Sequence, residues 1–539
     1  MECGNPTTES DALMPRKRKY DKSRTCVKCK VNVGNVVVRH AVYCRSCFVS
    51  QMTYKFRRSL EPYVNAKPDG PRRTALKPTG NLLVAFSGGL SSTVLLDLVN
   101  RCYVSPDPAL LTTDGGRDHP RHERVWKKVY VCYVECCDVL PGTKDRTNEI
   151  RDVVAQIADV EFIPLRIQNA FDHSWWRSVS HNNLNSDVIV DLNDEMLPFA
   201  TTGSSTRTPL AALQSYLAAL PTPTALPTAL HTLVRVLLQH TAAATASSHL
   251  LLGTSLTGLA GALLAGVAQG GGFHVRAELQ EEWAPPAQFA AHSAAGSAAG
   301  PAAVHPVKTV RLVRPLREAS AKECAVWAWW ARLRVVGRAP WAWPGAKPGI
   351  GRLTNDFVRG LEKDYPSTVS TVVRTCAKLA PKGAAAGACV LCERPAQDGV
   401  QAWKTRIAIR ARDGLRRGAH GRPAAEARGE SDGEADGEAG GEVEAELAAE
   451  PRLAPLLCYV CHTSLTSRGA RAAPALYADT VPSLGAVPLP AWVSARLVPG
   501  GRDGAGEDEG EREEEEPVVV KRKMGEEELR RAIGEFILE

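Results

Sequence analysis

The stretch NLLVAFSGGLSS at residues 81–92 constrains what this chain can fold into more than any other dozen residues. An apolar, strand-forming run passes directly into two glycines and then into helical periodicity, which requires a buried strand, a tight turn and a helix in that order. Gly88 and Gly89 let backbone N–H groups approach a phosphate closely, Ser87 and Ser92 offer hydroxyls, and the helix N-terminus adds a favourable dipole. A plain strand-to-helix turn satisfies the same pattern, so the loop alone leaves function open.

The pattern continues beyond that unit. Strands are expected at 81–86, 129–135, 160–164, 249–252 and 309–313, alternating with helices at 91–101, 145–157, 207–240 and 320–335 and after TSLTG. Such alternation implies an α/β core with a mainly parallel sheet over residues 81–345, followed by a helical extension at 346–388. Around it lie a flexible basic lead at 1–25, a linker at 61–80 and a low-complexity insertion at 283–306. An acidic insertion follows at 420–452, then an acidic tail with a terminal amphipathic helix within 481–539. The start lacks an apolar core of the secretory kind, and the uncharged runs at 208–234 and 250–272 are broken by prolines or rich in glycine. A cytoplasmic protein without a membrane span is therefore expected.

Net charge is +7, but two tracts conceal a stronger bias. Residues 429–450 hold nine acids and no base, and 502–516 hold nine acids against two bases. Without them the chain carries 64 basic residues against 41 acidic ones. A basic body suits a polyanion partner, although it also serves simple solubility.

Eight of the 15 cysteines fall in four C-x-x-C pairs. Cys26, Cys29, Cys44 and Cys47, with 14 residues between the pairs, have the spacing of a closed four-thiolate zinc site. Cys389, Cys392, Cys458 and Cys461 offer the same ligands across 65 residues, an unusual interval that an acidic insertion between knuckles would explain. Whether these distant pairs share one metal stays open, and His462 beside them reads as a bystander. After the first module, Phe48, Tyr54 and Phe56 interleave with Lys55, Arg57 and Arg58. These residues suit phosphate neutralisation and base stacking, or equally a helix packing its aromatics on the knuckle.

Taken with HLLLGTSLTGLAGALL, VRPLREASAKE and LTNDFVRGLEKDYPSTVSTVVRT, these motifs resemble the cytosolic tRNA thiouridylases of the ATP-pyrophosphatase superfamily. Within that family the likeness is to the second, degenerate subunit of the eukaryotic 2-thiolation complex. The resemblance implies an adenine-nucleotide-hydrolase-like core between zinc-knuckle modules at 26–60 and 389–480. Ser87, Gly88, Gly89 and Ser92 would form the nucleotide loop, and Arg314 and Arg317 of RPLR would reach phosphate or tRNA, with an internal ion pair as the competing role. The departures concern chemistry. Ser91 stands where the family's loop is acidic, and Thr254, Ser255, Leu256, Thr257 and Gly258 follow Gly253 where active members carry two aspartates. Residues 207–248 also lack the expected C-x-x-C pair.

The resemblance therefore implies a non-catalytic subunit that pairs with a catalytic thiouridylase and helps hold tRNA Lys, Glu and Gln. Sulfur would come from a thiocarboxylated ubiquitin-related modifier. Structural zinc is expected, no iron–sulfur cluster is expected, and ATP binding is left undecided. Two other readings remain: a chain that itself binds ATP and adenylates tRNA, and a zinc-dependent protein adaptor that touches no RNA.

Overall fold

The computed structural model describes residues 25–64, 80–105, 125–139, 142–180, 186–203, 207–222, 224–279, 281–284, 309–337, 348–379, 385–397, 399–401, 404, 451–467 and 486–497. Nearly all of the expected basic lead, most of the linker, the low-complexity and acidic insertions and the terminal helix lie outside the described residues.

In chain order the strands are β1 (Val36–Val38), β2 (Ala41–Tyr43), β3 (Asn81–Ala85), β4 (Val129–Glu135), β5 (Val160–Arg166), β6 (Ser186–Asp191) and β7 (Phe199–Gly203). They continue with β8 (Ser247–Leu252), β9 (Glu281–Trp283), β10 (Val310–Val313), β11 (Ala385–Ala388), β12 (Pro395–Gln397) and β13 (Ala486–Pro488). The helices that matter here are α1 (Arg45–Val64), α2 (Leu90–Val99), α3 (Thr147–Val154), α4 (His173–Ser180), α5 (Pro209–Ala218), α6 (Ala225–Ala244), α7 (Leu256–Ala268), α8 (Val275–Leu279), α9 (Ala321–Trp330), α10 (Ile350–Asp364), α11 (Pro366–Lys378), α12 (Tyr459–Thr466) and α13 (Ala491–Leu497).

Six strands form the central sheet in the order β5-β4-β3-β8-β10-β9. All neighbours run parallel except β9, which closes one edge antiparallel to β10. Successive strand residues face opposite sides, as the pleat requires. Leu82, Val84, Val131 and Leu251 therefore pack on one face with α1, α2, α3 and α9. Leu83, Cys132, Leu250 and Leu312 pack on the other with α4, α5, α6 and α13. Ser320 caps α9 through a reciprocal box with Glu323, the start that the ASAKE segment encodes.

The expected strands are present with boundaries shifted by at most two residues, and the expected helix at 207–240 divides into α5 and α6. Two features departed from expectation. A second, antiparallel sheet, β13-β6-β7, draws strands from 186–203 and from 486–488, regions that showed no strand pattern. The two cysteine modules also pack into the two faces of the same body, and their described residues belong to one compact unit.

The chain leaves β3 towards β4 and later returns to β8 on the other side of β3. That reversal of direction makes the carboxyl ends of β3 and β8 a switch point, the usual place of the ligand crevice in an open parallel sheet. It also forces close backbone approach, since a Cβ on Gly253 would lie 2.6 Å from Ser92 Cα. We expect Gly253→Ala to lower unfolding free energy by about 1–3 kcal/mol through overpacking. Gly266→Ala, in α7 with nothing within 4 Å of its Cβ, should raise it by about 0.5–1 kcal/mol. Urea unfolding of both variants checks the contrast in sign.

Candidate functional site

At the switch point, Gly88 takes φ +70, a left-handed conformation that glycine adopts without cost, and Gly89 precedes α2 as its N-cap. Ser92 Oγ donates to Gly89 O at 2.9 Å and lies 3.1 Å from Ser87 Oγ, while Thr93 Oγ1 also bonds Gly89 O at 2.9 Å. The hydroxyls thus brace the turn from within; Ser87 is exposed, whereas Gly88 and Ser92 are buried. The turn is also covered: Gly337 N donates to Gly88 O at 2.9 Å, and a Cβ on Gly88 would strike Ile150 Cδ1 at 2.4 Å. The covering segment, which follows α9, carried no sequence signal.

The neighbouring strand ends supply little reactive chemistry. Ser255 caps α7, Leu256 is buried, and Thr257 Oγ1 donates to Glu362 Oε2 at 2.7 Å while accepting from Ala321 N at 2.9 Å. After β4, the buried Glu135 carboxylate accepts from the backbone N–H groups of Cys136, Cys137 and Arg146 at 2.7, 2.9 and 2.7 Å, and from the Tyr133 hydroxyl at 2.9 Å. Its oxygens are used in holding the loop, although Glu135, Cys137 and Asp145 lie close enough together to suggest a metal group. Burial, and then the Glu135 carboxylate, push the Cys137 thiol up to about 11. Cys324, near Ser91, is pushed up to about 12 chiefly by burial. Neither is an activated thiol at neutral pH.

Both cysteine quartets converge. The ligand atoms of Cys26, Cys29, Cys44 and Cys47 lie within 4.8 Å of one another, and so do those of Cys389, Cys392, Cys458 and Cys461. The distant C-terminal pairs therefore form one site. Tetrahedral zinc at ordinary Zn–S bond lengths separates its sulfurs by about 3.8 Å; Cys29–Cys44 is 3.8 Å and Cys392–Cys458 is 3.7 Å. The two sites share one local design. In each, the first pair sits on a knuckle turn ending in a left-handed residue, Lys30 or Glu393, whose N–H bonds the first cysteine's carbonyl at 2.8 Å. The second pair starts a helix, with Phe48 N on Cys44 O and His462 N on Cys458 O, both at 2.9 Å. A helix N-terminus stabilises thiolate.

Four thiols held this closely cannot all ionise without a cation. The Ser46 hydroxyl and then the Cys47 amide hold Cys44 down at about 6, while burial and the neighbouring Cys44 push Cys47 up to about 12. The donor sets fit a metal. His462 stands apart from the C-terminal set, its Nε2 lying 2.8 Å from Glu195 O. Next to the ligand Cys392, Glu393 sits in a buried polar cage made by His240 at 3.1 Å, Trp283 Nε1 at 2.9 Å and Arg496 at 3.0 Å. Arg235 donates to Cys392 O at 2.6 Å. These contacts fix the knuckle's orientation, as outer partners of metal ligands do.

The expected RNA-facing residues divide. Lys55 forms a buried ion pair with Glu323, and Arg314, 5 % exposed, pairs with Glu278 at 3.1 Å. Both side chains point inward, because α1 and the RPLR turn are packed against the body rather than presented from it. Arg58 is exposed; Arg57 and Arg317 are half-buried. Phe48 and Phe56 are buried, against Trp330 and Tyr103, which leaves Tyr54 as the exposed aromatic of α1.

Arg314→Ala should lower the melting temperature, whereas Arg58→Ala, at an exposed position, should leave it unchanged; thermal melts separate the two. Acid stability gives a second check. Burial alone would raise the Glu278 carboxyl, but Arg394 at 2.5 Å and Arg314 hold it at about 2. A depressed carboxyl stabilises the fold above its unfolded pKa and loses that contribution as pH falls towards the folded value. Glu278→Gln should therefore flatten the fall in stability between about pH 4.5 and pH 2, measured as the acid-unfolding midpoint.

Residues 349–463 match the family model described as cytoplasmic tRNA 2-thiolation protein 2. The chain is 26 % identical over 386 residues to the cytoplasmic tRNA 2-thiolation protein 2 of Xenopus tropicalis, covering 66 % of this chain and 68 % of that one. To the same-named protein of Phaeosphaeria nodorum it is 26 % identical over 395 residues, covering 70 % and 86 %. Among solved structures, a U34-tRNA thiolase from Methanococcus maripaludis with its [4Fe-4S] cluster is similar at 14 % identity and TM-score 0.37, covering 65 % of this chain and 86 % of that one; the superposition is too loose to inform the site. With the glycine turn at the switch point of a parallel sheet, a four-cysteine group towards each end and relatives of one name in animals and fungi, the chain is similar to the cytoplasmic tRNA 2-thiolation protein 2 family.

Proposed function

We infer that this chain is the non-catalytic subunit of a cytoplasmic tRNA wobble-uridine 2-thiolation complex. It pairs with a catalytic thiolase and helps hold tRNA Lys, Glu and Gln while a thiocarboxylated ubiquitin-related modifier supplies sulfur. One observation carries the reading: the switch point at the carboxyl ends of β3 and β8 retains its glycine turn, but hydroxyls and a glycine stand where adenylation needs carboxylates. Ser91, Thr257 and Gly258 occupy those positions, and Thr257 is already engaged with Glu362. Mg²⁺-assisted activation of a carbonyl oxygen depends on such carboxylates. The Gly337 N–H on Gly88 O further supports a turn that is retained for its shape.

In this reading the cysteine quartets hold structural zinc. Sulfur separations near 3.8 Å support one shared ion at each site, since the thiolates of a [4Fe-4S] cluster each bind a separate iron. Purified protein should contain two zinc equivalents per chain by plasma mass spectrometry. Cys29→Ser and Cys392→Ser should each lose one, with Cys392→Ser also unfolding the body because its site lies in the core; iron with acid-labile sulfide in place of zinc would overturn the assignment.

The subunit assignment is tested by mass spectrometry of 2-thiouridine in cells that lack the gene. The chain carrying Ser87→Asp, which sets a carboxylate at the exposed position of the phosphate turn, should restore thiolation. Gly88 is unsuitable for this purpose, because any side chain there meets Ile150. Stable Ser87→Asp protein that fails to restore it would favour the second reading, in which the turn binds ATP. Thiolation that persists without the gene would overturn the family role altogether.

A further inference from the structure

The aromatic residues that the sequence offered for base stacking, Phe48 and Phe56, are buried, yet the most exposed large aromatic among the described residues lies beside them. Trp329, near the C-terminal end of α9, is 75 % exposed. Leaving an indole in water forfeits the burial that usually pays for so large a side chain. The next residue, Trp330, is half-buried and shapes the ground beneath. Its ring takes the Phe48 edge at 5.3 Å and the Arg45 guanidinium at 5.9 Å, and its carbonyl accepts from Arg45 Nη2 at 3.1 Å. The rings of Trp329 and Trp330 are 6.2 Å apart and inclined by 35°. The exposed indole therefore stands at the seam between α9 and the N-terminal knuckle, on a floor held by that knuckle.

Charge at the seam is of one sign. Residues 25–60 contain seven Lys and Arg and no Asp or Glu. Among these, Lys28 and Arg45 are exposed, and Lys28 reaches Ser50 Oγ on α1 at 3.1 Å. From Ala321 to Gly337 the single acid is Glu323, buried against Lys55 and the Ser320 N–H, while Lys322, Arg332 and Arg334 are exposed. Beyond Trp329 this segment ends at Gly337 on the glycine turn.

We propose that Trp329, flanked by Arg332 and, across the seam, by Arg45 of the knuckle, is a stacking platform for an unpaired RNA base. The arginines hold the phosphates on either side of that base. A duplex hides the faces of its bases, so an exposed indole in a basic field selects single-stranded or looped RNA. This inference rests on the tRNA reading above and adds the residue that reads an unpaired base.

The test is the binding of full-length protein to a short oligouridine, and to a blunt RNA duplex of equal length, over a salt series. Trp329→Ala should weaken oligouridine binding by about 5- to 150-fold at every salt concentration, with the salt slope unchanged. Trp329→Phe should restore most of the affinity, and Arg332→Gln should lower the slope by about 0.7 for each phosphate that residue 332 no longer neutralises. Duplex binding should ignore Trp329. Because Trp329 is exposed, the variants should melt like the parent, and a large fall in their melting temperature would overturn the surface role. If the parent binds oligouridine and Trp329→Ala binds it equally, the platform is refuted while the tRNA reading stands. If the variant instead loses only a co-purifying thiolase, the indole is a protein-docking residue and the proposal fails. If the parent binds neither oligouridine nor tRNA even at low salt, the tRNA reading itself falls.

Discussion

β3 accepts parallel partners on both sides, and that double pairing is the constraint on which the other positions depend. A strand in the middle of a parallel sheet is buried on both faces, which is why residues 82–84 are uninterrupted Leu, Leu and Val. Its neighbours come from distant parts of the chain, 129–135 and 247–252, so the glycine turn, the Glu135-held loop and the Ser255 cap meet only because the sheet aligns their strand ends. The close approach of Gly253 to the Ser92 backbone sets how tightly they meet.

The two cysteine quartets extend this arrangement to opposite faces. α1 carries the N-terminal knuckle onto the face that holds Leu82 and Val84, while all four C-terminal cysteines belong to the core on the other face. The same turn-plus-helix design serves both, although 14 residues separate the pairs in one case and 65 in the other. Loop-closure entropy explains the tolerance: each doubling of length costs only about 0.6 kcal/mol, so the longer interval adds roughly 1.3 kcal/mol. A shared ion at that site would offset far more than this.

Charge is sorted by the same packing. Glu135, Glu393 and Glu278 each satisfy their oxygens within the body and anchor, respectively, the loop after β4, the C-terminal knuckle and the RPLR turn. Lys55 and Arg314 are used in the same way. The knuckle, residues 25–60, carries seven Lys and Arg and no acid, and Arg332 and Arg334 lie exposed beyond α9.

The sequence by itself determined the elements and the local chemistry. Period-two and buried apolar runs marked the strands of the central sheet, ASAKE marked the start of α9, and C-x-x-C spacing marked eight metal-ligand candidates, because each of these signals is local. It also showed which reactive groups are absent from the switch point. Tertiary structure alone decided which of them meet. β13 is a three-residue strand whose partner β6 lies far back in the chain, and β6 and β7 form a short hairpin whose second strand is largely exposed, so no local period announced them. The interleaved basic and aromatic residues of α1 were consistent with both packing and stacking, and only the surfaces that Trp330 of α9 offered to Phe48 and Tyr103 offered to Phe56 resolved that choice. Trp329 was one tryptophan among several in its helix until packing buried Trp327, half-buried Trp330 and left its own indole in water, since exposure depends on what lies opposite a residue in space and leaves no mark on its neighbours in the chain.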